Sequence, residues 1–351
     1  MRSLDIWLPA YLGQALRPRP APAPDRPLTI YITLADHFEP FWNQADRGTA
    51  LARLRAWEEG LPRLCQDLAD SRGRPPQHCF FYPLEDYDPE VLDRLAALCS
   101  QGLGEVEVHL HHQGETSAEL EDKLAGYAEL LHRRHGLLRT DPAGGGVVYG
   151  FIHGNWALDN SRPDGLWCGV NDELRVLRRS GCYADFTLPS APSPTQTRII
   201  NSIYYATDDP LRPKSHDQGR PAQVGLPPSG DLLLVQGVLA LNWRRRKYGL
   251  LPRLEDSDLG VHRPPWPERI PLWFRFAPSV RGAEQVRFLK LSCHGAPEHH
   301  HQTLLGETAR RFWRKLLEGY DDGRRYQIRF ATCWEMVQVI HALERGEELD
   351  P

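Results

Sequence analysis

The chain has 351 residues, of which 41% are hydrophobic and 25% charged, and its formal net charge at pH 7 is −4. This composition is typical of a folded globular protein and excludes a disordered, fibrous or coiled-coil chain. The slightly acidic balance provides no basic surface for nucleic acid, so no nucleic-acid partner is expected. Seven cysteines without paired spacing argue against a disulfide framework and favour reduced thiols, as in a cytoplasmic protein.

The N-terminal segment does not read as a targeting signal. Asp5 and Pro9 fall where a signal peptide needs a continuous apolar run. No apolar stretch approaches the roughly 20 residues of a membrane helix, so no transmembrane segment is expected. Residues 17–27 are rich in proline and complete a leader predicted over 1–27, which places the start of the folded domain near Leu28.

From Leu28 onwards, short strand-like runs alternate with helical patterns. Strands are predicted at 28–35, 78–84, 105–111, 147–153, 183–188, 232–237, 286–294 and 326–332. Helices are predicted after Asp88, after Thr116 with its capping-box partner Glu119, after Asn171 and around 334–340. The alternation predicts an α/β fold: one domain over 28–345, a distorted or partial (β/α)7–8 barrel.

One region breaks this rhythm. Residues 206–285 contain many prolines and the basic run 244–247. We predict a long loop insertion over one face of the barrel rather than a second domain. The oligomeric state is left open.

The third predicted strand carries unexpected polar residues. Period-two alternation places one set of side chains on a common face, namely Glu105, Glu107, His109 and His111. Unpaired polar groups on a buried parallel strand would cost several kcal/mol each. A divalent metal held by neutral imidazoles, with the carboxylates behind as acceptors, would satisfy them. The alternation favours His109 and His111 as ligands and leaves His112 at the start of the loop; alternatively, the strand is exposed and its histidines face solvent.

Polar residues also follow other predicted strands. Asp36 and His37 come after the first strand, where Asp36 is expected as a metal ligand or general base, or as a helix cap. His294 ends the seventh predicted strand and is expected to protonate a leaving group. Asp185 lies on the fifth strand, where it either orients a catalytic group or satisfies backbone amides.

Aromatic and amide side chains near these positions suggest a carbohydrate partner. His153, Asn155 and Trp156 follow the fourth strand and are expected to contact substrate, with Trp156 as an aromatic platform. Trp42 is a second candidate for stacking on a sugar ring. The triplet 299–301 is predicted as a solvated loop or helix start, because consecutive histidines do not converge easily on one ion.

The order and spacing of these motifs resemble the polysaccharide deacetylase superfamily, the NodB-homology carbohydrate esterases of family 4. The matching segments are LADH (34–37), EVEVHLHH (105–112), IHGNW (152–156), YADFTLPS (183–190) and LSCHGA (291–296). The resemblance implies a partial (β/α)7 barrel and hydrolysis of N-acetyl groups from amino sugars with Zn²⁺ or a related ion. It implies Asp36 and two of His109, His111 and His112 as ligands, with His294 as the acid.

Two departures from the family pattern concern the metal site. Ala35 precedes Asp36 where the family has a second aspartate. Either Asp36 is the ligand and the usual base is missing, or Asp36 is the base and His37 binds the metal. The histidine spacing is also compressed, because the family's second histidine would fall at Gln113.

These residues predict a metal-dependent hydrolase that removes an N-acyl group from an amino sugar. In this mechanism Asp36, or failing that Glu39 or Asp185, takes the proton of the attacking water. A second hypothesis is a glycoside hydrolase that uses two carboxylates, such as Asp36 and Asp185, without a metal. A third is a degenerate barrel that binds metal or glycan without turnover.

Overall fold

Helices and strands alternate along most of the chain in the computed structural model, which describes residues 3–18, 21 and 27–349. The helices among these residues are α1 (Leu4–Ala15), α2 (Arg47–Cys65), α3 (Pro89–Leu98), α4 (Ser117–His135), α5 (Glu173–Arg179), α6 (Ile270–Phe276), α7 (Glu298–Leu305), α8 (Glu307–Tyr320) and α9 (Cys333–Glu344). The first seven strands are β1 (Leu28–His37), β2 (His78–Pro83), β3 (Gly104–Leu110), β4 (Arg139–Thr140), β5 (Val147–His153), β6 (Cys182–Asp185) and β7 (Ile203–Ala206). The remaining strands are β8 (Gly219–Pro221), β9 (Leu232–Val235), β10 (Ala240–Lys247), β11 (Leu251–Glu255), β12 (Asp258–Leu259), β13 (Val286–Cys293) and β14 (Tyr326–Phe330).

Twelve of these strands form one large sheet in the order β12-β13-β1-β2-β3-β5-β6-β9-β7-β8, with β14 also paired to β1 and β4 to β5. The pairings from β12 through β9 are parallel. Strands β7 and β8 extend this edge in the antiparallel sense. The predicted α/β class with a largely parallel sheet is therefore confirmed, while closure into a barrel stays a prediction.

The sheet has an apolar core on each face. The larger core lies between the sheet and helices such as α2, α3 and α4. The smaller one joins side chains of β1, β2, β5, β6, β7, β9 and β13 to those of α9. Because strands from distant parts of the sheet share this second core with one helix, the sheet curves around α9, and we call this its concave face.

Local signals explain where several helices begin. The Asp88 carboxylate accepts hydrogen bonds from the backbone N–H groups of Glu90 and Val91, and Pro89 occupies the first turn of α3. The predicted capping box at the start of α4 is present between Thr116 and Glu119. The predicted helix start at 299–301 is also confirmed, since these histidines lie in α7.

Two predictions about the layout are wrong. The folded part does not begin near Leu28, because α1 buries Trp7 and Tyr11 in the main core. Most of the extended stretch predicted at 17–27 lies outside the described residues. Region 206–285 is more than a loop, since it supplies β9 and β12 to the large sheet, the hairpin β10–β11 and helix α6. Its prolines lie between these short elements or near their ends. They interrupt the apolar patterns from which the elements could have been predicted.

The parallel strands β1, β3, β5, β6 and β13 all end at one edge of the sheet. This edge gathers the polar residues that the sequence singled out, as expected for parallel α/β sheets. None of the described helices is long and apolar enough to cross a membrane.

Candidate metal centre

The end of β1 separates its polar residues onto two faces. Leu34 packs in the core under the helices and Ala35 in the core of the concave face. Continued alternation sends Asp36 towards the helices and His37 towards the concave face. The prediction that Asp36 joins His109 and His111 is therefore not met by the geometry.

Asp36 is instead fully buried in a network of its own. Its Oδ2 lies 2.8 Å from Nε2 of His78, and its Oδ1 accepts a 2.6 Å hydrogen bond from the backbone N–H of Gly295. The Trp57 indole N–H donates to the carbonyl oxygen of the same glycine at 3.0 Å. Because Gly295 follows His294, Asp36 fixes the backbone that presents His294.

Four side chains meet on the concave side of the strand ends, and we call them the Glu39 cluster: His37, Glu39, His109 and His111. Oε1 of Glu39 lies 3.1 Å from Nε2 of His109 and 3.3 Å from Nε2 of His111. The ligand atoms of His37, Glu39 and His109 all lie within 4.8 Å of one another. Histidine nitrogens with a carboxylate oxygen are the donor set typical of catalytic zinc sites.

The outer nitrogens of the two strand histidines fix their orientation. Nδ1 of His109 lies 2.7 Å from the Ile152 carbonyl oxygen, which can only accept, so this nitrogen carries the hydrogen. Nδ1 of His111 lies 2.5 Å from Oε1 of Glu85. Both Nε2 atoms therefore face Glu39, in the arrangement that outer hydrogen bonds impose on metal-binding histidines.

The expected outer carboxylates Glu105 and Glu107 do not have this role. Both bind Arg139, at 2.9 and 2.5 Å respectively. Glu107 also accepts from the Tyr183 hydroxyl at 2.8 Å. These two carboxylates thus serve a buried ion pair farther down the strand.

The electrostatics of the Glu39 cluster favour a bound cation. Burial, reinforced by His294 and His109, lowers the pKa of His37 well below its usual value and keeps its imidazole neutral. Burial alone would raise the pKa of Glu39, but the neighbouring imidazoles of His109 and His111 outweigh it and lower that pKa. Burial likewise opposes the charged form of His111, yet Glu39 and Glu85 raise its pKa to about 10. Without a metal, a proton on His111 supplies the positive charge.

This proton predicts a pH dependence of the metal-free protein. A histidine whose pKa rises from 6.5 to about 10 on folding stabilises the fold fully below 6.5, and this contribution is lost as pH rises through about 10. After chelation, the free energy of unfolding should fall over this window more steeply in the wild type than in His111→Ala. Urea unfolding across the window tests this, with His299→Ala, an exposed imidazole on α7, as control. Equal pH profiles for wild type and His111→Ala would contradict it.

A cavity of about 460 Å³ adjoins the Glu39 cluster. His37 lines it, and the His294 ring stacks on His37 with centroids 4.5 Å apart. Trp156 also lines the cavity, 5.8 Å from the His294 ring. Asp256 and Asp258 contribute carboxylates to the wall. The volume lies within the usual range of small-ligand sites.

Three other predicted site residues are not among those that line this cavity. Trp42 is half exposed, and its carbonyl oxygen accepts from Arg53. Asn155 is partly buried in a left-handed conformation. Asp185 is buried, and its carboxylate accepts hydrogen bonds from the backbone N–H and hydroxyl of Thr187, which does line the cavity. Asp185 therefore reaches the cavity only through Thr187.

His112 and His153 belong to a second group, which we call the Glu173 cluster: His112, His153, Cys168 and Glu173. All four are buried, and their ligand atoms lie within 4.8 Å of one another. None of them lines the cavity. The expectation that His153 contacts a substrate in this cavity is thus not met, because His153 is buried in the Glu173 cluster.

Sequence reasoning missed several members of the site. From the sequence, Glu39 was predicted only as a substitute for Asp36 as the base. Continued alternation beyond β1 would have placed it on the same face as Ala35 and His37. Glu85 comes from a short helical turn after β2, and no periodicity marks it. Asp256 and Asp258 lie in the region interpreted as a loop insertion.

Comparison with protein-family models gives no match to this sequence, and comparison with curated proteins gives none either. The resemblance to polysaccharide deacetylases accordingly stays a prediction. Buried groups of histidine, cysteine and carboxylate side chains that could hold a metal ion are what the described residues establish.

Proposed function

We propose that this protein is a metal-dependent hydrolase that removes an N-acyl group, in the first instance acetyl, from an amino sugar. The observation that carries the proposal is the convergence of two histidine Nε2 atoms, 3.1 and 3.3 Å away, on one oxygen of Glu39. Their Nδ1 atoms bond outward, and His37 of the same cluster opens onto a cavity. A ligand in that cavity reaches the cluster at His37.

The side chains of the Glu39 cluster are those that would hold the ion, and nitrogen and oxygen donors of this kind suit Zn²⁺. A divalent ion there would polarise the acyl carbonyl and lower the pKa of a bound water. The outer bonds to Ile152 and Glu85 keep the imidazoles aimed inward when the ion is absent, which reduces the reorganisation needed on binding.

In this proposal His294 transfers the proton. Burial lowers its pKa, so it is an unprotonated base at neutral pH. It can accept the proton of the attacking water and return it to the departing amine. Its position depends on Asp36 and Trp57, which hold the next residue, Gly295, by hydrogen bonds. In this proposal Asp36 is a positioning residue and not a ligand.

Acetate release tests the proposal. Purified protein, assayed with a panel of N-acetylated amino sugars, should release acetate, lose this activity on chelation and regain it with Zn²⁺. His294→Ala should bind the ion but release little acetate, whereas His109→Ala should lose both the ion and the activity. Acetate release that is unchanged by chelation and by both substitutions would refute the proposal.

A sugar substrate makes a specific prediction about tryptophan. Trp156 is 38% exposed and lines the cavity, so its ring can stack on a sugar. Aromatic stacking is worth about 0.5–1.5 kcal/mol, so Trp156→Ala should raise KM roughly two- to tenfold. Trp42→Ala is the matched control, because Trp42 is 50% exposed but lies off the cavity lining, and it should leave KM unchanged. Equal effects of the two substitutions would argue against stacking on Trp156.

A second candidate function rests on the two carboxylates of the cavity wall. Burial raises the pKa of Asp258, and the nearby Asp256 raises it further, while Arg263 pairs with Asp256. A glycoside hydrolase needs one protonated and one ionised carboxyl group, and this pair can supply both. That reaction would release a reducing sugar rather than acetate and would survive chelation, so the same assays distinguish the two functions.

A further inference from the structure

The Glu173 cluster differs from the Glu39 cluster by being closed. His112 follows β3, His153 ends β5, Cys168 lies in the loop before α5, and Glu173 is the first residue of α5. The side chains of His112, His153 and Glu173 are fully buried, and so is Cys168. Four protein ligands without access to solvent are the mark of a structural site, whereas a catalytic site keeps an open position.

One ring nitrogen in this cluster has no hydrogen-bond partner. Nδ1 of His153 bonds the Gly154 carbonyl oxygen at 2.5 Å and must carry the hydrogen. Its Nε2, left with a lone pair, has no hydrogen-bond partner and lies 3.3 Å from Oε1 of Glu173. A buried lone pair beside a buried carboxylate is unfavourable unless a cation lies between them.

The other two donors converge on the same carboxylate. Nε2 of His112 lies 2.9 Å from Oε1 of Glu173, and Sγ of Cys168 lies 3.4 Å from its Oε2. Outside the cluster, Nδ1 of His112 faces Glu115 at 3.1 Å, as in the outer shell of a metal-bound histidine. A thiolate and a carboxylate together would balance the charge of a divalent ion.

We propose that His112, His153, Cys168 and Glu173 form a second, structural metal site for a zinc-type ion. This inference does not depend on the proposed hydrolase activity. The site would tie the loop between β5 and α5 to the ends of β3 and β5.

The conformation of that loop indicates what the ion would stabilise. Five non-glycine residues of the loop have left-handed φ angles, at Asn155, Trp156, Asp159, Asn160 and Trp167. Such residues persist only where the surroundings hold them. Gly154 also packs so closely that an added Cβ would lie 2.3 Å from Cδ2 of His111. The ion would therefore hold Trp156 over the cavity and the chain at Gly154 against His111.

The test is metal content of the whole chain, measured after equilibration with Zn²⁺ and removal of unbound ion. The wild type should hold two ions. Cys168→Ala and His109→Ala should each hold one, and the double variant none. Cys182→Ala, another buried thiol that belongs to no candidate cluster, is the matched control and should hold two.

Cobalt substitution provides a readout that needs no activity. The Glu39 cluster contains no sulfur, so a sulfur-to-cobalt charge-transfer band in Co²⁺-loaded wild type should vanish in Cys168→Ala and persist in His109→Ala. This inference would be overturned if the wild type held a single ion and showed no such band, and if that ion were lost in His109→Ala but kept in Cys168→Ala. Such a result would leave the proposed function intact. A single ion lost only in Cys168→Ala would support the structural site and refute the catalytic one. The test does not depend on whether Cys168→Ala folds, because absence of the band from the spectrum of the wild type would by itself overturn the inference.

Discussion

Glu39→Gln is expected to abolish metal binding at the Glu39 cluster and to lower the rate of acetate release about a thousandfold. The substitution preserves size but removes the charge on which His109 and His111 converge. Loss of the ion removes several kcal/mol of transition-state stabilisation, which corresponds to roughly three orders of magnitude in rate. Metal content and the rate constant for acetate release, measured on the same preparations, check this prediction.

A graded control separates this effect from general damage. Glu85→Ala removes only the partner of Nδ1 of His111 and should weaken metal affinity about 10- to 100-fold. Glu318→Ala, which changes a half-exposed carboxylate on α8, should affect neither quantity. Full metal content and full activity in Glu39→Gln would show that Glu39 is not a ligand.

Asp36→Ala should have a large effect of a different kind. Its carboxylate is fully buried and binds both His78 and the backbone N–H of Gly295. Removing the carboxylate leaves the His78 ring nitrogen and the Gly295 N–H buried without partners, at about 1–3 kcal/mol each and so about 2–6 kcal/mol in total. The free energy of unfolding should fall by that amount, and acetate release should fall because His294 is no longer held, while the ion at the Glu39 cluster remains.

Asp36→Asn is the companion to this experiment. An asparagine oxygen can still accept from Gly295, so this variant should keep more of the stability and the position of His294. Urea unfolding and metal content of both variants give the comparison. Loss of the ion with little loss of stability would instead make Asp36 a ligand, as the resemblance to deacetylases implies.

Strong periodicity explains the part of the fold that the sequence could predict. All eight predicted strands exist, with ends shifted by a few residues, because apolar runs flanked by polar turns are a local signal. The alternation in β3 correctly placed His109 and His111 on one face. Helix α1 was missed because Asp5 and Pro9 were weighed only against a signal peptide, although the spacing of Trp7 and Tyr11 is that of a buried helical face.

The misplacement of Asp36 has a simple physical origin. The first strand was predicted to stop at residue 35, whereas β1 continues to His37. Two more residues of alternation put Asp36 and His37 on opposite faces. The same alternation places His37 and Glu39 on one face, so their proximity could have been predicted from the sequence.

Other residues in or beside the two clusters could not be predicted from the sequence. Cys168 and Glu85 come from irregular segments whose positions depend on tertiary packing. His112 lies next to His111, but the two rings belong to different clusters, in the segment that follows the end of β3 at Leu110.

The most direct measurement is a crystal structure of the zinc-loaded protein with anomalous scattering at the zinc edge. We expect an anomalous peak bonded to Glu39 and to Nε2 of His109 and His111, at the distances of about 2.0–2.2 Å usual for such ligands. No anomalous peak there, with Glu39 hydrogen-bonded directly to a protonated His111, would show that the Glu39 cluster does not bind zinc.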